Sequence, residues 1–354
     1  MNHHTRRSPG SFSPRAGRLA RIGTAAAAAA LLLALPVSTQ AGGRDLRNSD
    51  REMRASSLDS HEDDQNACSA TTRAAFMACK NEARDDYWIA VGNCRNVSDS
   101  VEGAVCLHEA RQGVQEAMRD CADQEDARGD VCDALGEAPY DPQIDPADFV
   151  DPTEIGDTVD PNPFFPLVAG VRTVFLSETE GERTTVSVTR DTREILGVTC
   201  VVVNDVVSDA ESGEVLEDTD DYYAQALDGT VWYFGETAIE FEHGDALTLE
   251  GSWKAGREMG KAGIIMEAAP AVGDVYRQEF FLGDAEDLAE VLALDGSESV
   301  PFTSCSGDCL VTRDFTPLEP DVSENKFYKA GIGVILEFNP DTGGRVELIE
   351  MSSF

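Results

Sequence analysis

The sequence predicts an α+β protein: a disulfide-stapled antiparallel helical hairpin, followed by a mainly antiparallel β domain built as a sandwich or a curled, barrel-like sheet. Three observations carry this. Cys68, Cys79, Cys94, Cys106, Cys121 and Cys132 stand at mirror-image positions about Ser100. A stretch rich in Pro and Asp follows them. Beyond it the chain divides into about ten short apolar or alternating segments separated by Gly, Asp and Asn, which is the signature of strands and turns.

The chain opens with a basic leader. Arg6, Arg7, Arg15, Arg18 and Arg21 precede the apolar run "AAAAAALLLALPV", and "STQAGG" then offers small residues at Thr39 and Ala41. This pattern predicts a signal peptide over residues 1–41, cleaved after Ala41, and export to a secreted or periplasmic location. The apolar run is shorter than the roughly 20 residues a spanning helix needs, and no later segment is long and apolar enough, so no stable membrane span is expected after cleavage. A polar leader occupies 42–63. The formal charge of −38 becomes about −43 once five arginines leave, which excludes a nucleic-acid partner and disfavours an anionic membrane surface.

Residues 64–135 are expected to form the hairpin. Cys68 and Cys79 are eleven residues apart, as are Cys121 and Cys132. Eleven residues turn a helix through roughly 1100°, close to three full turns, so each pair shares a face. Antiparallel pairing then gives the nested set Cys68–Cys132, Cys79–Cys121 and Cys94–Cys106 out of fifteen combinations. "RNVSDS" supplies the turn, with the inner cysteines expected at frayed ends or in the connection. A zinc site is disfavoured because the helical cysteines lack CxxC-like spacing. His108 reads as a solvated helix residue.

Residues 136–166 carry seven prolines, several in Asp-Pro pairs, and read as a solvated linker. "DTVDPN", Asp157 to Asn162, offers oxygen donors to calcium but lacks the regular spacing of an EF-hand loop. The β domain spans 167–354. Its expected strands include "VRTVFLSET", "VTCVVVNDVV", "TVWYFG", "VYRQEFFL" and "IGVILEF", with "GDAEDLAEVLAL" expected as a short helix whose apolar face is Leu288, Val291 and Leu292. In "TSCSGDCLVT", Cys305 and Cys309 flank Gly307 and are expected to form a local disulfide. Cys200 is expected to pack inside a strand.

The densest candidate for chemistry is "EDTDDYYAQALDGTVWYFGE". It places acidic groups beside aromatic surface, and a ligand pocket of Tyr223, Trp232 and Glu236 is the binding expectation, with Trp232 and Phe234 on one strand face and Tyr233 on the other. No catalytic residues are assigned. HExxH, P-loop, dinucleotide-binding glycine, GxSxG and CxxCH motifs are all missing from the sequence. His243, beside Glu242 and Asp245, reads as a turn residue.

The ordered fragments "VLEDTDDYYAQALDGTVWYFGE", "GSWKAG", "GIIMEAAPAVGDVYRQEF" and "VTRDFTPLEPDVSENKFYKAGIGVILE" resemble a sparsely characterised domain of exported bacterial proteins over residues about 170–350. The resemblance implies export and a domain boundary and transfers no catalytic residue. The sequence thus points to an exported binding or structural protein whose partner is a small molecule or an envelope component. Its alternatives are an extracellular hydrolase using acidic residues near 218–236 and a calcium-responsive adhesion module. No cofactor is expected, calcium being the one candidate.

Overall fold

A computed structural model describes residues 66–249 and 251–354. The leader at 1–41 and the polar stretch at 42–63 lie outside them.

Two long helices, α1 (Ala67–Arg95) and α2 (Ser100–Leu135), run antiparallel. The Asp99 carboxylate starts α2 by accepting from the backbone N–H of Val101 at 2.8 Å and of Glu102 at 3.0 Å. This cap satisfies two donors that the first turn leaves open and holds the Asp99 carboxyl below its usual range. All three nested disulfides form, with Cα separations of 5.6, 5.8 and 5.5 Å from the open end to the turn. The inner pair lies within helical structure, not in the connection: α1 runs past Cys94 to Arg95, and Cys106 sits inside α2.

The staples do the work that an apolar core does elsewhere. Among the described residues of the two helices, Thr72, Ala75, Ala83, Val131, Cys94, Cys121, Cys132 and Arg128 are the buried ones, while Trp88, Ile89, Val101 and Val105 remain exposed. So small an apolar area holds two helices together poorly, and covalent links restrict the unfolded chain instead. At the open end the backbone N–H and hydroxyl of Ser69 both donate to the Glu137 carboxylate, tying the start of α1 to the residues after α2.

The β domain comprises β1 (Val171–Ser177), β2 (Glu182–Ile195), β3 (Val198–Asp209), β4 (Val215–Gln225), β5 (Val231–Glu242), β6 (Asp245–Thr248), β7 (Trp253–Lys254), β8 (Lys261–Met266), β9 (Val275–Arg277), β10 (Glu279–Phe280), β11 (Leu288–Ser299), β12 (Ser304–Phe315), β13 (Ser323–Lys329), β14 (Gly333–Phe338) and β15 (Arg345–Ser353). Strands β1 to β5 pair in chain order, as do β11 to β15, and β15 returns to β1. The circuit is completed by one short segment: β9 pairs β11 while β10, just beyond Gln278, pairs β8. The sheet is therefore a near-closed antiparallel barrel and not a sandwich. Closure leaves few open edges for pairing with another chain.

Two expectations change. "GDAEDLAEVLAL" does not form a helix; Leu288–Ser299 is β11, paired with both β9 and β12. Its Leu and Ala residues favour a helix locally, but the barrel needs a strand there, and burial of Leu288, Ala289 and Val291 outweighs that preference.

The stretch 136–166 is an ordered strap. Asp145 and Asp151 each accept from the N–H two residues on, at 3.0 and 2.9 Å, and start 3-10 turns whose first residue is Pro. The Asp-Pro pairs thus encode side-chain-capped turns. Val150 donates to the Gln225 carbonyl, and Phe149 packs edge-on against Trp232 and Phe234. Asn162 is buried, with its amide donating to the carbonyls of Gly229 and Glu267 and its oxygen accepting from Phe164 and Phe165.

The Cys305–Cys309 disulfide forms within β12, across a bulge in which Gly307 has φ 75°. Cys200 is fully buried on β3 as a free thiol, and burial pushes its pKa up to about 12. A thiol so enclosed is an unreactive packing residue.

The hairpin turn gives the first prediction. Replacing Cys94 and Cys106 together by Ser should lower stability by about 3 kcal/mol on a chain-entropy basis, measured by urea unfolding, with the outer two bridges still found by peptide mapping. Scrambled outer bridges would mean that the inner staple sets the register.

Candidate functional site

The sequence nominates Tyr223, Trp232 and Glu236, and the barrel separates them. Tyr223 faces Tyr233 across the β4–β5 ladder, with ring centroids 4.8 Å apart in a stacked pair. Trp232 pairs with Ala224 one position along, so it projects to the opposite face and lies beneath Phe149 of the strap. The two-residue period of the strand thus puts Trp232 and Tyr233 on opposite faces, with Trp232 turned away from Tyr223. Its place near the tyrosines is taken by Trp253 of β7, which meets Tyr233 edge-on at 5.4 Å and donates from Nε1 to Glu279 Oε2 at 2.9 Å.

Glu236 reaches the tyrosine face through a bulge. Asp221 opposes Glu236 whereas Tyr223 opposes Tyr233, so β5 carries one extra residue between the two pairs. Gly235 absorbs it with φ 120°, and a side chain there would overlap the backbone of Trp253 and Lys254. This is where glycine is required: the conformation is open to few other residues, and β7 passes directly over it.

The Tyr233 hydroxyl then lies between two carboxyls, 2.9 Å from Asp221 Oδ1 and 2.7 Å from Glu236 Oε2. A phenol has one hydrogen to donate, so two such contacts require that one carboxyl carries a proton and donates back. Electrostatics agree. Burial, reinforced by neighbouring carboxylates, raises the pKa of Asp221, Glu236 and Glu279 well above the usual range. The titration belongs to the cluster and not to one residue.

A second buried group adjoins the first. Asp314 accepts from Thr312 Oγ1 at 2.6 Å and Gln278 Nε2 at 3.1 Å, and pairs with Lys326 Nζ at 3.0 Å. Burial alone would lower the Lys326 pKa, but Asp314 and Glu337 more than reverse this and keep the ammonium charged. Glu324 is raised to about 9 and Asp287 to about 6, burial being the main cause in each.

This network shares protons and holds strands together, but it presents no common face to a substrate. Asp221 and Tyr223 border a cavity of about 80 Å³ beneath Phe165, whereas Glu236 borders another of about 230 Å³ beside Lys254 and Arg257. Tyr233 stands between the two carboxyls. Among the described residues no group of three or more His, Cys, Asp and Glu is arranged to hold a metal ion.

A larger cavity than either lies elsewhere, where the hairpin meets the barrel. About 600 Å³ is enclosed by the start of α1, the end of α2, the strap at Gly136 to Tyr140, the turn before β8 and residues 277–282. Its frame is polar. Arg128 of α2 grips Glu286 through Nη2 to Oε1 at 2.6 Å and Nε to Oε2 at 3.0 Å, with both side chains buried. Gln124 donates to the Leu318 carbonyl, Tyr140 donates to the Ala262 carbonyl at 2.8 Å, and Lys261 pairs with Asp141.

Arg277 lines this cavity, with its guanidinium 4.8 Å from the Phe280 ring centre and 5.6 Å from that of Tyr140. Its Nη1 is buried without a hydrogen-bond partner. The sequence reading passed over Arg277 and Arg128. The available signal was "VYRQEFFL", a strand that interrupts an apolar run with a cation, but its partner surface comes from a helix well over a hundred residues earlier. Family models, curated proteins and solved structures return no match for the chain.

Two predictions follow from the acidic interior. Tyr233→Phe removes the hydrogen bond that both carboxyls share and should cost about 1–3 kcal/mol per group left unsatisfied. Glu236→Gln keeps a neutral donor there and should cost less; equal losses in urea unfolding would contradict the shared proton. Because Asp287 and Glu324 bind protons more tightly in the fold than in the unfolded chain, their stabilisation is complete below pH 4. It is lost as pH rises through about 6 and then about 9, so the thermal midpoint should fall between pH 5 and pH 9. A midpoint that rises across that window would overturn this.

Proposed function

We propose that this chain is an exported binding protein whose ligand site is the cleft between hairpin and barrel. The single observation that carries the reading is the cavity of about 600 Å³ at a joint between two rigid elements. That volume is in the range of small-molecule sites, which are commonly found at such joints. In this reading the barrel is the scaffold. Its interior is occupied by tyrosines and carboxyls that satisfy one another, and the hairpin supplies the second wall.

The division of labour follows from the chemistry of each part. The disulfides keep the hairpin a fixed body without a large core, so it can serve as a wall whose position the Arg128–Glu286 pair sets. The same bridges suit an oxidising compartment, in agreement with the basic leader and the apolar run after it. The resemblance to an exported bacterial domain supports the same location. Among the described residues no helix is long and apolar enough to cross a membrane.

Two measurements check the reading. N-terminal sequencing of the mature protein recovered from outside the cytoplasm should begin at Gly42; an unprocessed chain retained in the cell would contradict export. Ala138, exposed on the strap at the cavity wall, can be enlarged without touching either core. Ala138→Trp should leave the melting point unchanged and abolish thermal shifts produced by a library of small molecules on the oxidised wild-type protein. Shifts that persist in this variant would place the site elsewhere.

A further inference from the structure

We infer that the cleft takes an amphipathic monocarboxylate with an aliphatic tail, its carboxylate bound by Arg277. This inference rests on the reading of the cleft as a binding site.

The head group follows from the cations. Three line the cavity, and two are already engaged: Arg128 by Glu286, and Lys261 by Asp141. Arg277 is different. It is more than nine-tenths buried, and its Nη1 donates to nothing. Stacking on Phe280 and Tyr140 stabilises the face of the guanidinium but satisfies none of its N–H groups. A buried donor left unpaired is costly, and a planar fork of donors matches a carboxylate in a two-point contact. A cationic ligand is repelled by Arg277. A dianion is disfavoured by Glu258 in the same cavity, within a chain of formal charge −38.

The tail follows from the walls. Val131 and Leu135 of α2 face Phe280, Phe281 and Leu282 of the barrel across the cavity. At its edge Met259 is 79 % exposed on a turn where both Glu258 and Met259 have left-handed backbone, φ 49° and 71°. Neither residue is glycine, so the turn holds an unfavourable conformation that keeps a flexible, apolar side chain out of the core. Methionine adapts to irregular apolar surfaces, and at this position it covers the tail once the tail is in place.

The test is titration calorimetry on the mature, oxidised protein with decanoate, 1-decanol and acetate. Wild type should bind decanoate saturably, about tenfold or more tighter than decanol, and acetate should give no saturable heat. Arg277→Met should reduce decanoate to the affinity of decanol and leave decanol unchanged, whereas Ala138→Trp should weaken both. Equal wild-type affinities for decanoate and decanol, with both lost in Ala138→Trp, would overturn the carboxylate assignment and leave the cleft as the site. Absence of binding by either probe, or binding that Ala138→Trp does not alter, would overturn the cleft as well. If Arg277→Met lacks a melting transition, Arg277→Lys replaces it. That variant keeps the charge without the fork and should lose affinity for decanoate several-fold; an unchanged affinity would count against the proposal.

Discussion

The structure depends on the segment Val275 to Phe280, which closes the barrel. It pairs with β11 on one side of Gln278 and with β8 on the other, so a few residues join the first and last parts of a long meander. The approach at this seam is close: a side chain at Gly263 would overlap the carbonyl of Gln278. Closure also assigns directions to the side chains. Gln278 turns to Asp314 in the interior, while Arg277 and Phe280 border the cavity under the hairpin. One backbone constraint therefore organises both the acidic interior and the cleft.

Closing so acidic a chain into a barrel brings carboxyls together where water is excluded. Two responses are visible. Around Asp314 a single ammonium, Lys326, neutralises a group of carboxylates and is kept charged by them. Around Tyr233 the carboxyls lie beside a phenol and an indole N–H, and protonation does what a cation does in the other group. Both responses hold strands in register, yet neither creates an opening. The polar groups with ligand-binding potential are left to the joint, where Arg277 is buried without a complete set of partners.

How much was legible in the sequence depended on how local each signal was. The pairing of the hairpin was legible because eleven-residue cysteine steps report helical geometry directly, and mirrored steps report antiparallel pairing; the helical setting of Cys94 and Cys106 was not. Most barrel strands showed their alternation, and the Cys305–Cys309 bridge was marked by Gly307. Barrel closure was not legible: it is a long-range event, and the residues after Asp287, which read as a helix, became a strand because two neighbours required pairing there. Of the residues nominated from composition, Tyr223 and Glu236 stand on the buried acidic network and border two separate small cavities. Trp232 lies on the face away from Tyr223, since the register of β4 against β5, and the bulge at Gly235, decide which side chains share a face. Arg277 went unseen since its significance lies in a wall contributed by α2 and by the strap.

If hairpin and barrel form one body with the proposed cleft at their seam, the two walls must be protected from solvent together. Hydrogen exchange followed by mass spectrometry, with and without saturating decanoate, tests this most directly. Peptides covering 124–135 and 275–282 should be protected together in the free protein, and decanoate should slow exchange in both while leaving β1 to β4 unchanged. Rapid exchange of 124–135 beside a protected barrel, or ligand protection confined to strands remote from the seam, would contradict it.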